Sequence, residues 1–244
     1  MGQPPIQLTV AIPTMRRWKG FLEKSLPMFL SNENVYKVLI CDETGDDVAA
    51  IQKSKYATHP KLILHTNERR LGMYGNKRKC VELSPTDWVA VLDSDNLFPD
   101  EYFEALFDIW KDEGANTKTV YAASEIVRVF LKTGDSEERT RHFTGMRITR
   151  ANWNQVLQMN AWNFLLNDGN WVGHKSVLDA WPPMAEEKVR ATDSIRIVRN
   201  LIQAGWTYSI TPGMRYIHTV HDDSEWIKTE AQSSFLLATT EWRF

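Results

Sequence analysis

The chain has 244 residues, 43% of them hydrophobic, which is enough for one domain with elaborations or a compact pair of units sharing a core. Its net charge is -2 and acidic and basic residues are mixed along it, which excludes the broad basic surface expected of a nucleic-acid-binding protein. The two cysteines, Cys41 and Cys80, do not indicate a disulfide framework, and with neither a targeting region nor an apolar stretch of bilayer length we expect a cytoplasmic protein without a transmembrane segment.

Strand patterns alternate with helical patterns in the first half of the chain. Strands are predicted at residues 7–12, ended by Pro13, and at 36–41, 62–65 and 88–92. Helices are predicted at residues 19–30, interrupted near Pro27, and at 47–55, 73–83 and 100–111. This alternation is typical of an α/β fold in which helices flank a mostly parallel sheet.

The second half is less regular. Residues 120–130 read as a strand, 132–139 as a charged turn or hairpin tip, and 193–204 as a helix that Gly205 ends. Residues 151–170 mix Asn, Trp and Leu without a clean period. The character of the chain changes near Ala115, so we predict one domain, 1–244, with halves at 1–114 and 115–244.

Two carboxylates follow the fourth predicted strand. Residues 89–92 are a short apolar run, suited to a central strand, and Asp93 and Asp95 come directly after it. Open α/β sheets bind their ligands at this end of their strands. Paired carboxylates there suit Mg²⁺ or Mn²⁺ that also bridges substrate phosphates. The alternative is that Asp and Asn simply form the turn after a strand.

Four segments, 12–16, 40–47, 67–72 and 92–96, occur in an order and spacing that resembles GT-A glycosyltransferases of family 2. The similarity continues more weakly at 170–173, 192–193 and 218–224. It implies a GT-A (Rossmann-like) fold with a mixed, mostly parallel sheet, a nucleotide-sugar-binding half at 1–114 and an acceptor-binding, catalytic half at 115–244. The implied reaction is transfer of a sugar from a nucleotide diphosphate sugar to a hydroxyl of a glycan or other acceptor, with inversion and a divalent metal.

The resemblance assigns the donor site. Asp42 corresponds to the acid that bonds the nucleotide base, with Pro13 and Thr14 lining the same pocket. A carboxylate suits the uracil imide N–H, so a UDP-sugar is favoured, although thymidine would satisfy the same contact. Around the diphosphate and donor it places the following residues: Arg16, Arg70, Lys77 (in place of an Arg), Asp93 and Ser94. Solvent-exposed charge is the alternative for the three cations.

Metal ligands also follow from the resemblance. Asp95 is the first choice, while Asp93 contacts ribose or holds the metal through water. The family often supplies a late His, and His218 and His221 both remain candidates. Because residues three apart in a strand face opposite sides, only one of them is expected to point at the metal.

The catalytic base that the resemblance indicates is Asp193, where Thr192 replaces the usual preceding acid. Its carboxylate would take the proton of the acceptor hydroxyl. The alternative is that Asp193 or Thr192 only caps the helix.

Trp153, Trp162, Trp171 and Trp181 occur in the half expected to bind the acceptor, where an indole face can pack on a sugar ring. Core packing is the other role open to each. Trp171 and Gly173 lie in the segment that, in the family, passes under the donor sugar.

Three rival classes fit parts of the sequence. A haloacid-dehalogenase-type phosphatase also uses Asp-x-Asp after a strand, but after its first strand. A sugar-phosphate nucleotidyltransferase needs a glycine-rich loop after the first strand, where residues 13–17 contain no glycine. A noncatalytic carbohydrate-binding protein explains the tryptophans but not Asp42, Asp95 and Asp193 together.

Overall fold

A computed structural model describes residues 6–140, 143–159, 162–166 and 169–244. Its first half alternates strands and helices as predicted. The strands are β1 (Leu8–Thr14), β2 (Val35–Asp42), β3 (Leu62–Thr66) and β4 (Trp88–Val91). The helices are α1 (Glu23–Ser31), α2 (Asp46–Gln52), α3 (Gly72–Leu83) and α4 (Asp100–Glu113).

The second half adds the remaining strands and helices. The strands are β5 (Thr119–Phe130), β6 (Ser136–Thr140), β7 (Arg147–Ile148), β8 (Trp171–His174) and β9 (Thr207–Val220). The helices are α5 (Trp153–Val156), α6 (Trp162–Leu166), α7 (Asp193–Gln203) and α8 (Glu225–Thr239). The charged segment 132–139 is a hairpin tip and its return strand, because β6 pairs antiparallel with β5.

One mixed sheet runs through the described residues in the order β3-β2-β1-β4-β8-β5-β9-β7, with β6 on β5. Strands β3, β2, β1 and β4 are parallel to one another, β5 and β9 are parallel to each other, and β8 is antiparallel to both β4 and β5. The prediction of a mixed, mostly parallel sheet flanked by helices is confirmed.

The sheet separates two apolar layers. Successive side chains of a strand point to opposite faces, so Val89 and Val91 join the layer that contains Tyr74 of α3, while Ala90 joins the layer that contains Phe103 of α4. All four residues of β4 are buried. This burial on both faces is the reason that the strand before Asp93 reads as an uninterrupted apolar run.

The prediction that Pro13 ends the first strand is wrong. Strand β1 continues through Pro13 to Thr14, which pairs with Asp42. Ala11 faces β4, since its carbonyl accepts the Leu92 N–H, and Pro13, two residues on, faces the same side. The β1–β4 pairing ends at Ala11, so the missing proline N–H costs no ladder hydrogen bond.

Helix α1 also differs from its prediction. It begins at Glu23, because Gly20 adopts a left-handed conformation (φ +89°) that breaks the preceding turn. Pro27 lies inside the helix and does not interrupt it. Cys41 and Cys80 are buried free thiols. Within the described ranges, no helix has both the length and the apolar character that crossing a membrane requires.

Candidate active site

A cavity of about 480 Å³ opens at the carboxyl ends of β1, β2 and β4. The segments that line it come from both halves of the chain. They include Pro13 to Arg17, Glu43, the start of α3 with Lys77, Asp93 to Asp95, Gly169, the approach to α7 with Asp193, and His218, Asp223, Ser224 and Lys228. Ligands bind at this end of an open α/β sheet because the loops that leave the strands converge there.

The Asp93–Asp95 loop is held by the second half of the chain. The Asp93 N–H donates to Asn170 Oδ1 (2.7 Å), and Asn96 Oδ1 accepts the Thr219 N–H (3.1 Å). One residue further, Leu97 and Ile217 exchange backbone hydrogen bonds of 3.0 and 2.8 Å. The loop is therefore fixed between β8 and β9.

Lys77 lies between two carboxylates. Its side chain is 3% exposed, and its Nζ is 3.1 Å from Asp93 Oδ1 and 3.0 Å from Asp193 Oδ2. Burial alone would lower the pKa of Lys77, but the charges of Asp193 and Asp93 outweigh burial and raise the pKa above its usual range. Lys77 lines the cavity, and its ammonium contacts these two carboxylates.

Asp93 and Asp95 have opposite electrostatic environments. Burial, together with the charges of Asp95 and Asp193, raises the pKa of Asp93 to about 6, against the pull of Lys77. Burial would also raise the pKa of Asp95, but the hydrogen bond from His221 and the charges of His221, Arg17 and His218 lower it. Asp95 is thus the carboxylate that stays ionised more readily.

His221 is the histidine that contacts Asp95. Its Nε2 is 3.0 Å from Asp95 Oδ2, and the Phe21 ring packs against its imidazole with 5.0 Å between ring centres. His218 lines the cavity, whereas His221 is not among the residues that line it. Because β9 ends at Val220, strand alternation does not extend to His221, and which of the two histidines points at a metal stays a prediction.

The predicted base-binding residue, Asp42, does not line the cavity. It is fully buried, and its two oxygens accept backbone N–H groups of Thr44 (3.0 Å), Asp47 (2.8 Å) and Val48 (3.0 Å). These bonds satisfy donors at the start of α2 that have no partner within the helix. The role assigned to Asp42 is therefore corrected from ligand binding to holding the β2–α2 turn.

Glu43 is the acid that faces the cavity at this position. Its Oε2 accepts the Leu71 N–H at 2.7 Å, and burial raises the pKa of its carboxyl despite that bond. Sequence reasoning passed over Glu43, although consecutive residues at a strand end point to opposite sides, so a buried Asp42 directs Glu43 outward.

We expect Asp42→Ala to destabilise the protein without removing a group from the cavity. The substitution leaves three backbone N–H groups without their acceptor, at a cost of about 1–3 kcal/mol for each one that stays buried and unpaired. Urea unfolding of the variant measures the loss of stability. UDP affinity, measured at urea concentrations below the unfolding transition, serves as the control. Wild-type stability of Asp42→Ala would contradict this role.

The loop after β1 is held by Asp47. Its carboxylate accepts the Thr14 hydroxyl and the N–H groups of Arg17 and Trp18. Arg16 takes a left-handed conformation (φ +57°) and pairs with exposed Asp46 at 2.9 Å. As a result the neighbouring arginine, Arg17, which the sequence did not single out, points inward, with Nε 3.9 Å from Asp95 Oδ2.

The remaining predicted donor residues separate into two groups. Pro13, Thr14, Arg16, Arg70 and Ser94 line the cavity, and Arg70 pairs with Glu186 at 3.3 Å. Trp171 and Gly173 do not line it: Trp171 is 1% exposed and packs on Trp181 with 5.8 Å between ring centres. Both lie within β8 between two other strands, which directs them into the core.

The other tryptophans of the predicted acceptor half also pack inside. Trp153 and Trp181 are fully buried, and Trp162 is partly buried against the same core cluster. Core packing, the alternative role of these residues, is therefore the one that the structure supports.

Asp193 begins α7 and is 2% exposed. Its carboxylate accepts a hydrogen bond from Lys77, and the hydroxyl of Thr192 donates to the Val189 carbonyl. The Asp193 side chain is thus directed to the cavity, beside the carboxylates that follow β4.

The family model described as Glycosyl transferase family 2 matches residues 9–168. The match covers more than half of the chain, so the chain belongs to this family, and the resemblance seen in its motifs is confirmed. A search of curated proteins found no match.

Solved structures of similar fold include S. aureus TarS 1-349 in complex with UDP-GlcNAc, with a TM-score of 0.64 and 11% identity over 90% of this chain and 60% of that chain. The complex of the same TarS fragment with UDP has a TM-score of 0.61 and 13% identity, over 97% of this chain and 67% of that chain. The structure described simply as S. aureus TarS has a TM-score of 0.63 and 12% identity, over 97% of this chain and 40% of that chain. At this identity the likeness establishes the fold, and the chain spans 60% of the first of these proteins.

Proposed function

We propose that the chain transfers a sugar from a UDP-sugar to a hydroxyl of a glycan or glycoconjugate, with inversion and with a divalent metal ion. The observation that carries the proposal is the convergence of Asp93, Asp95 and Asp193 in one cavity at the carboxyl ends of the central strands. Membership of glycosyl transferase family 2 supports the reaction class. The structural neighbours solved with UDP-GlcNAc and UDP support a uridine donor.

Glu43 is proposed to read the base. Its carboxylate can accept the imide N–H of uracil, while the loop that holds Pro13 and Thr14 packs beside the ring. Arg17 and Arg70 are cations at the cavity that can offset the charge of a diphosphate, and Arg16 and Lys228 also line it.

The donor set near Asp95 fits a divalent ion that shares its coordination with the substrate. Asp95 and His221 offer a carboxylate oxygen and an imidazole nitrogen. No group of three His, Cys, Asp or Glu side chains in the described part of the chain could hold an ion by itself. Mg²⁺ is commonly held by one or two carboxylates plus substrate phosphates, and Mn²⁺ accepts similar oxygen ligands. When bound, such an ion would stabilise the charge that develops on the departing diphosphate.

Asp193 is proposed to act as the general base. Its carboxylate takes the proton of the acceptor hydroxyl as that oxygen forms a bond to the anomeric carbon. The bond from the anomeric carbon to the phosphate oxygen breaks at the same time, and the electron pair leaves with UDP. Attack from the face opposite to the leaving group inverts the anomeric configuration.

A panel of nucleotide sugars, each incubated with and without Mn²⁺ and with simple glycan acceptors, tests the proposal. We expect metal-dependent transfer from a UDP-sugar, with slow hydrolysis of that same donor when no acceptor is present. Release of phosphate from sugar phosphates would favour a phosphatase. Formation of a nucleotide sugar from a nucleoside triphosphate would favour a nucleotidyltransferase, and binding without turnover a carbohydrate-binding protein.

We expect Glu43→Ala to weaken UDP binding by about tenfold or more, the loss that corresponds to one charge-assisted hydrogen bond. Calorimetry with UDP and CDP measures it, because cytosine presents an acceptor where uracil presents the imide N–H. The variant should lose the preference of the wild-type chain for UDP. Glu68→Ala, which removes an exposed carboxylate from the loop before α3, is the matched control. A variant that retains wild-type discrimination between UDP and CDP would refute the assignment.

A further inference from the structure

Lys77 is a buried cation whose two carboxylate partners come from distant parts of the chain. Asp93 follows the central strand β4, and Asp193, a hundred residues later, begins α7. We propose that Lys77 is a positioning residue, which holds the catalytic carboxylate of Asp193 in a fixed place relative to the donor-binding loop. This inference rests on the proposed function and assigns Lys77 a task other than binding the diphosphate.

The burial of Lys77 supports this task. With 3% of its side chain exposed, the ammonium already makes contacts of 3.0 and 3.1 Å to two carboxylates, which leave one of its three N–H donors for any other group. Both contacts are charge-assisted, and leaving buried carboxylates without a partner is costly. Arg17 and Arg70 already lie at the cavity with freer side chains, so the site does not need Lys77 for phosphate binding.

The backbone of Gly169 packs against the ion pair of Lys77 and Asp93. A Cβ built on Gly169 would lie 2.5 Å from both Asp93 Oδ2 and Lys77 Nζ, so the backbone at this position passes directly against the pair. The next residue, Asn170, accepts the Asp93 N–H. Gly169 and Asn170, which precede β8, thus hold Asp93 and Lys77 in one arrangement. Because Lys77 contacts Asp193, the position of the Asp193 carboxylate is fixed as well.

A base must point at the acceptor hydroxyl to remove its proton, and a small displacement of its carboxylate lowers the reaction rate strongly. A misplacement of 1 Å can cost about a hundredfold. Without Lys77 the Asp193 carboxylate would lose the hydrogen bond that orients it. The expected signature is therefore slower turnover with the donor site intact.

The test compares Lys77→Met with Lys79→Met, which removes a partly exposed lysine two residues along the same helix. We expect Lys77→Met to lower kcat by about tenfold to a hundredfold, without weakening UDP binding measured by calorimetry or raising the donor KM. Lys79→Met should match the wild type in all three. Weaker UDP binding by Lys77→Met, or an unchanged kcat, would overturn the inference.

A double-mutant cycle separates positioning from an independent contribution. If Lys77 acts through Asp193, adding Lys77→Met to Asp193→Asn lowers the rate no further, whereas multiplied effects would overturn the inference. Should Lys77→Met fail to fold, Lys77→Gln, which keeps a polar donor of smaller size, is judged by the same three measurements. A wild-type chain that is inactive with every donor refutes the proposed function itself, and an active one with an unaffected Lys77 variant refutes only this role.

Discussion

Replacing Asp193 with Asn is expected to lower transfer by roughly a hundredfold or more, the loss typical of a missing general base, while UDP affinity stays at the wild-type value. Asn has nearly the shape of Asp, and its amide oxygen can still accept the hydrogen bond that Lys77 donates to Asp193. The substitution removes the ability to take a proton and the negative charge that faces Lys77, while the second carboxylate partner of Lys77, Asp93, is kept. Steady-state kinetics at saturating donor and acceptor measure the effect.

Asp222→Asn is the matched control. Asp222 is an exposed carboxylate near the same end of the sheet, outside the residues that line the cavity, and it should tolerate the change without loss of rate. Thermal melting of both variants checks that they fold. If Asp193→Asn melts normally and keeps most of its transfer rate, Asp193 is not the base, and Glu186 or Glu187 become the next candidates.

The fold could be predicted because its determinants are local. Strands such as β4 are buried on both faces and read as apolar runs, while helices such as α4 show apolar residues at helical spacing. The position of Asp93 and Asp95 followed from the same pattern, since they come directly after a central strand. The first strand was predicted too short because a proline can lie within a strand where no ladder hydrogen bond is needed, and the sequence does not show that the β1–β4 pairing ends at Ala11, before Pro13.

The parts of the site that were missed depend on contacts between distant segments. No local pattern states that Lys77 meets Asp193, 116 residues away. Trp171 was expected under the donor sugar, but the pairing of β8 with β4 and β5 turns it into the core. Glu43 is the exception, because the alternation of side chains at the end of β2 was available from the sequence alone.

Removing the Asp95 carboxylate is expected to weaken the dependence of UDP binding on Mn²⁺ by a large factor. Asp95 is the acid whose pKa is held low, and His221 and Arg17 lie beside it. In the wild type we expect UDP to bind more tightly with Mn²⁺ than without it. In Asp95→Ala that gain should fall by about tenfold or more, since even outer partners of metal ligands typically contribute that much. Calorimetry of UDP with Mn²⁺ and with a chelator measures both values.

Substitutions of the two histidines test where the metal ion lies. If the ion lies where Asp95 meets His221, His221→Ala should reduce the Mn²⁺ effect more than His218→Ala, because the Nε2 atom of His221 lies 3.0 Å from the Asp95 carboxylate. Asp112→Ala, an exposed change on α4, should reduce nothing. A Mn²⁺ effect that persists in Asp95→Ala would sink the metal assignment. In that case cationic side chains of the cavity would offset the diphosphate charge. Arg17, whose Nε lies 3.9 Å from Asp95 Oδ2, would be the first of them to examine.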